Sequence, residues 1–193
     1  TAEGEQGVTA LAIASMGTNK DAVSMLLKSG ADANASITQD GMNLIQIKWM
    51  QYNYAEDSEI FFSGLALASS YERFKDTLYS PLVIAAEKCT NPALITELIN
   101  AGAELDARIY DDWTPLLVAC KINPNPEVVK TLLDAGADKN AVTSIGSNAL
   151  MMAARFNSNP EVVSLLLSEG FDIHSKDNDG GTAILYAAGY YGF

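Results

Sequence analysis

Histidine and cysteine are nearly absent, with one histidine and two cysteines in 193 residues. That is too few for the clustered ligands of a zinc site, and a disulfide framework needs more cysteines at closer spacing. Positive charge is scarce as well. Twelve Lys+Arg against 24 Asp+Glu leave a net charge of −12, so phosphate neutralisation cannot drive binding, and neither nucleic acid nor a membrane is expected as a partner. No apolar run approaches the roughly 18 residues that suggest a membrane span, and the opening TAEGEQG does not read as a signal peptide. Also missing are G-x-S-x-G, a Walker-type glycine loop, a C-x-x-C pair and H-E-x-x-H. No nucleophile, phosphate cradle or metal set therefore stands at usable spacing. No catalytic, cofactor-binding or metal residues are expected, and the chain reads as a non-enzyme.

What the chain has instead is self-similarity. In Thr114–Ala141, TPLLVACKINPNPEVVKTLLDAGADKNA, Thr114-Pro115 opens a helix whose proline sits in the first turn, where its missing N–H costs nothing. Leu116, Leu117, Ala119 and Cys120 give that helix a small-residue apolar face, and Asn123-Pro124-Asn125-Pro126 ends it. A second helix follows with Val128, Val129, Leu132 and Leu133 as one buried stripe, and Gly136 supplies a left-handed C-cap. The threonine position recurs at Ser80, Thr114, Asn148 and Thr182; 114−80, 148−114 and 182−148 are each 34, and Gly102, Gly136 and Gly170 keep the same step.

This pattern resembles the ankyrin repeat, whose helix opening reads T-P-L-H-x-A. The likeness rests on Thr114-Pro115-Leu116 with Ala119, on Ser80-Pro81-Leu82 with Ala85, and on GADANA at Gly30–Ala35 and GADKNA at Gly136–Ala141. The family's histidine is replaced by Ala12, Val83, Leu117, Met151 and Leu185, a more apolar packing. The resemblance implies an all-α fold: an ankyrin-repeat solenoid of stacked antiparallel helix pairs, right-handed and gently curved, with protruding hairpin-like loops. Those loops are expected around residues 36–42, 70–78, 104–112, 138–146 and 172–180.

The whole of 1–193 reads as a single domain with units starting near Thr9, Asn43, Ser80, Thr114, Asn148 and Thr182. The second unit is degenerate: the interval from Asn43 to Ser80 is 37, which places an insertion in Asn53–Ser58 and second-helix core positions at Ile60, Phe61, Gly64 and Leu65. The sixth is incomplete, so either the natural chain continues beyond Phe193 or Tyr186, Tyr190, Tyr191 and Phe193 fold back as a cap. Asp32, Asp138 and Asp172 recur in phase, which marks them as turn-stabilising side chains rather than catalysts. His174 occupies the position of Asn34, Asp106 and Asn140, where a loop hydrogen bond accounts for it, and Asp177–Gly180 reads as a tight turn.

The family likeness implies a non-enzymatic protein–protein interaction scaffold that binds through its concave groove and loop tips. An alternative stays open: a regulatory or targeting module of a larger chain whose catalytic domain is absent. A monomer is expected, in the cytoplasm, with an exported or periplasmic location also open. In an ankyrin-like layout the groove is lined by the residue before the threonine position and by those seven and eight after it. These rows give Tyr79 and Trp113, Lys121 and Arg155, Ile122, Phe156 and Tyr190, with Tyr110 and Ile145 on the loops. They form an aromatic and basic patch on an acidic molecule. Tyr, Trp and Arg are common interface anchors, so an extended or acidic segment of a protein partner is expected across the third to sixth units.

Overall fold

The computed structural model describes residues 9–16, 19–38 and 78–189. Among them run α1 (Ala10–Met16), α2 (Lys20–Lys28), β1 (Ile37–Thr38), β2 (Leu78–Tyr79), α3 (Pro81–Lys88), α4 (Pro92–Asn100), α5 (Pro115–Ile122), α6 (Pro126–Asp134), α7 (Ala149–Phe156), α8 (Pro160–Ser168) and α9 (Ala183–Ala187). Each first helix starts at a side-chain cap. Ser80, Thr114, Asn148 and Thr182 accept from the backbone N–H three residues on, as does Thr9. Second helices start on Asn91, Asn125 and Asn159, each followed by proline in the first turn. Gly30, Gly102, Gly136 and Gly170 end them with φ of +85 to +94°, a conformation a side chain would strain.

The helices stack in two rows. First helices α1, α3, α5, α7 and α9 neighbour one another in turn, and second helices α2, α4, α6 and α8 do the same. One apolar core runs through all layers, from Leu11 and Val23 through Leu82, Leu116 and Leu150 to Ala183 and Tyr186. Alanines at 85, 119 and 153 let the first helices approach closely, and Cys89 and Cys120 are buried free thiols. Each fully buried leucine contributes about 2 kcal/mol of transfer free energy.

Side chains of the Thr114 and Asn148 layers also bond the backbone of the layer before. Asn123 Nδ2 donates to Ala86 O and Cys89 O at 2.9 and 2.8 Å, and Asn157 Nδ2 donates to Cys120 O and Asn123 O at 2.8 and 2.9 Å. Asn125 and Asn159 reach Thr90 O and Pro124 O in the same way. The asparagines of the NPNP and NSNP turns thus cap helices with their backbone-facing oxygens and tie layers together with their amides. The phased aspartates work within their own turns: Asp32, Asp138 and Asp172 each accept from the N–H two residues on. His174 is exposed, and only its backbone N–H takes part, donating to Asp172. Its expected side-chain bond is not made among the described residues, whereas Asn34 bonds Gly102 O and Glu104 N of the next layer.

The loops before each first helix are short fingers, each closed by a backbone bond spanning four residues: Ile109 N to Trp113 O, Thr143 N to Ser147 O and Asp177 N to Gly181 O. In the first finger the equivalent partners are Ile37 and Tyr79, paired in the antiparallel β1–β2 ladder. Separate loops at 36–42 and 70–78 were expected, but Ile37–Thr38 and Leu78–Tyr79 pair with each other instead. Partners 42 positions apart (79−37) replace partners 4 apart (113−109). The layer beginning at Thr9 packs directly on the layer beginning at Ser80 through α1 on α3 and α2 on α4, with Lys20 Nζ 3.4 Å from Glu97. The unit expected from Asn43, with its insertion at Asn53–Ser58, lies outside the described residues, as do Tyr190, Tyr191 and Phe193.

Two outcomes follow from this packing. Replacing residues 38–78 by Ser-Ile-Gly, the fingertip found at 144–146, should leave a single cooperative unfolding transition with its midpoint within a few degrees; separate melting of the Thr9 layer would contradict the direct contact. Asn123→Ala strands two buried carbonyls and should cost on the order of 2–4 kcal/mol in urea unfolding; a change under about 0.5 kcal/mol would show that the asparagine ladder is ornamental.

Candidate partner-binding face

First-helix ends and finger bases of successive layers fall side by side, so one residue per layer lines a continuous row. Lys121 lies in the last turn of α5 and Arg155 in the last turn of α7, where a cation complements the helix dipole. Trp113 closes its finger just ahead of the Thr114 cap. Lys121 Nζ sits 4.7 Å from the Trp113 ring centre and 5.1 Å from that of Phe156. The Arg155 guanidinium lies 4.7 Å from the same Phe156 ring and 5.1 Å from that of Tyr186. The order across the layers is Trp113, Lys121, Phe156, Arg155, Tyr186: rings and cations alternate.

Charge in this row is partly desolvated. Burial lowers the Lys121 ammonium below the ordinary lysine value; Glu87 opposes that shift and Arg155 adds to it. Tyr79, half-buried one layer back, has its phenol raised by burial and then by Glu87. Glu87 itself pairs with Lys88 at 2.6 Å. Two like charges are thus held near one another by a shared ring, each cation–ring contact contributing roughly 0.5–2 kcal/mol according to its exposure.

The row ends in a buried polar knot. Tyr186 donates its hydroxyl to Asp177 Oδ2, with the buried Ser147 hydroxyl beside it. Asp177 Oδ1 accepts from Gly181 N at 2.7 Å and Asp179 N at 3.0 Å. A Cβ on Gly181 would stand 2.7 Å from Asp177 Oδ2, so glycine there lets the carboxylate reach the ring. The Tyr186 phenol is raised by burial and then by Asp177.

The residues anticipated from the sequence divide into groups. Trp113, Lys121, Arg155 and Phe156 stack on one another. Ile122 and Phe156, equivalent positions in adjacent layers, are 45% and 46% exposed, which leaves an apolar edge open beside the cations. Tyr79 is half-buried and reaches the row through the field of Glu87. Tyr110 lies in a short 3-10 turn, Tyr110–Asp112, and Ile145 is exposed on the next finger with its carbonyl accepting from Asn178 N at 3.1 Å. Tyr190 lies outside the described residues. Trp113 is only half-exposed and also packs against the core. Tyr186 and Asp177 were not anticipated: Tyr186 follows Ile84, Val118 and Met152 in a core row, and its one signal is a hydroxyl where the others are aliphatic. Among the described residues, no three His, Cys, Asp or Glu side chains gather as a metal site, and no helix is long and apolar enough to cross a membrane.

A model of ankyrin repeats in three copies matches residues 65–143 and again 118–192, and a single ankyrin repeat model matches residues 6–37. The chain belongs to the ankyrin repeat family. No curated protein matches it. Ankyrin repeats are generally protein–protein interaction modules, and proteins built of them are generally non-catalytic scaffolds. The two sets of matches leave 38–64 uncovered.

The ankyrin row depends on its knot. Tyr186→Phe removes the hydroxyl donor to a buried carboxylate and should cost about 1–3 kcal/mol in urea unfolding; an unchanged midpoint would mean that Asp177 finds an equal partner without it.

Proposed function

We propose that this ankyrin array is a non-enzymatic scaffold that binds an extended, acidic segment of a protein partner along the row of finger bases and first-helix ends, from the Ser80 layer to the Thr182 layer. The observation that supports this reading is the alternation of Trp113, Lys121, Phe156, Arg155 and Tyr186 on a chain of net charge −12. Two cations concentrated on one face attract an anionic segment locally, while the net charge of −12 repels the chain's own copies. Two rings within about 5 Å of each cation restrict its side chain before binding, so less rotamer entropy is lost on association. Exposed Ile122 and Phe156 supply the apolar contact that an acidic segment alone would lack.

The test pairs two double variants, because Trp113 also packs on the core. Trp113→Ala with Arg155→Ala, and separately Lys121→Gln with Phe156→Ser, are each compared with the parent chain for capture of protein from the source cells and for melting. Specific capture should fall by about tenfold or more in both, with the second variant melting within a few degrees of the parent. Capture unchanged in both, or lost only where the variant unfolds, would overturn the reading.

A further inference from the structure

The proposed face carries more than a sign of charge. Lys121 and Arg155 are the same position in consecutive layers, 34 residues apart (155−121), on helices α5 and α7 that pack side by side. Packed helix axes lie about 8–10 Å apart, so the two positions that carry the cations are offset by about that length, with both charges close to the shared Phe156 ring. An extended segment running across the layers has to present its acids at the same pitch. In a β-strand, side chains on one face recur every second residue at about 6.8 Å, which falls short, and every fourth at about 13 Å, which overshoots. In a polyproline II helix every third side chain faces the same way, and three residues rise about 9.3 Å, which matches one layer.

Resting on the interaction reading above, we infer that the face recognises a partner segment in the polyproline II conformation with two acidic residues three positions apart, one on Lys121 and one on Arg155. The stacking fixes this register. Lys121 lies against Trp113 and Phe156, and Arg155 against Phe156 and Tyr186, so neither cation can swing a full step along the row without leaving its rings. Tyr186 is in turn held by Asp177, which makes it a positioning residue for Arg155. The pattern stops at two acids. The equivalent position one layer back is Glu87, already paired with Lys88, and the one after Arg155 is Gly189.

Synthetic proline-rich peptides of one length and one net charge, carrying two glutamates two, three or four positions apart, are titrated against the full chain by calorimetry. A peptide with both glutamates replaced by glutamine serves as the control. The three-position peptide should bind about tenfold more tightly than either of the others, roughly what one lost charge-assisted contact costs. In Lys121→Gln, replacing the glutamate that faces position 121 by glutamine should cause no further loss, while replacing the other glutamate should still weaken binding. Equal affinity for the three spacings, or none above the control, overturns the register. If capture of a cellular partner is nevertheless lost in the two double variants, the interaction reading stands and only the spacing falls. Loss of spacing preference in Tyr186→Phe with overall charge preference kept supports the positioning role, which a merely structural tyrosine would not show.

Discussion

The layers beginning at Ser80 and Thr114 leave backbone carbonyls that the next layer satisfies. Ala86 and Cys89 depend on Asn123, Cys120 and Asn123 depend on Asn157, and the amide oxygens of Asn125 and Asn159 in the same turns cap the following helices. A buried acceptor without a donor costs about 1–3 kcal/mol, so a layer displaced along its neighbour strands several groups at once. The apolar contacts between α3, α5 and α7 tolerate small slips; the asparagine bonds do not. They convert a stack of similar helix pairs into a stack in fixed register.

Fixed register makes a surface row meaningful. Because each layer presents the same position at the same place, Trp113, Lys121, Phe156, Arg155 and Tyr186 interleave, although they come from three layers. Lys121 and Arg155 repel one another, and burial already disfavours the charge on Lys121. The rings make that arrangement tolerable, and an anionic partner would relieve it. The fingers carry the register to the rim: Ser144 N bonds Asp111 O and Asn178 N bonds Ile145 O, the same step repeated one layer on.

Most of the fold was legible because its causes are local. A capping side chain, a proline in the first turn and a glycine with positive φ recur at a fixed step, and each acts within a few residues of itself. The place of the first layer was not legible in that way. Asn43 lies 34 residues after Thr9 and so reads as another unit, whereas the contact that joins the Thr9 layer to the Ser80 layer is the pairing of Ile37 with Tyr79, which no local pattern announces. The candidate face was half-legible. Row arithmetic brought Trp113, Lys121, Arg155 and Phe156 together, but the alternation of ring and cation depends on side-chain direction, and Tyr186 was concealed in an otherwise aliphatic core row.

Among the described residues, five layers beginning at Thr9, Ser80, Thr114, Asn148 and Thr182 lie in contact in turn, and the account stands on that order. Ser24 on α2, Thr96 on α4 and Lys130 on α6 are equivalent positions in the first three, and both native cysteines are buried away from labelling reagents. Spin labels placed at Ser24 and Thr96 in one protein, and at Thr96 and Lys130 in a second, give two distances by electron paramagnetic resonance. The account predicts the same distance for both pairs; a first pair longer by about 8–10 Å, the thickness of one intervening helix layer, would contradict it.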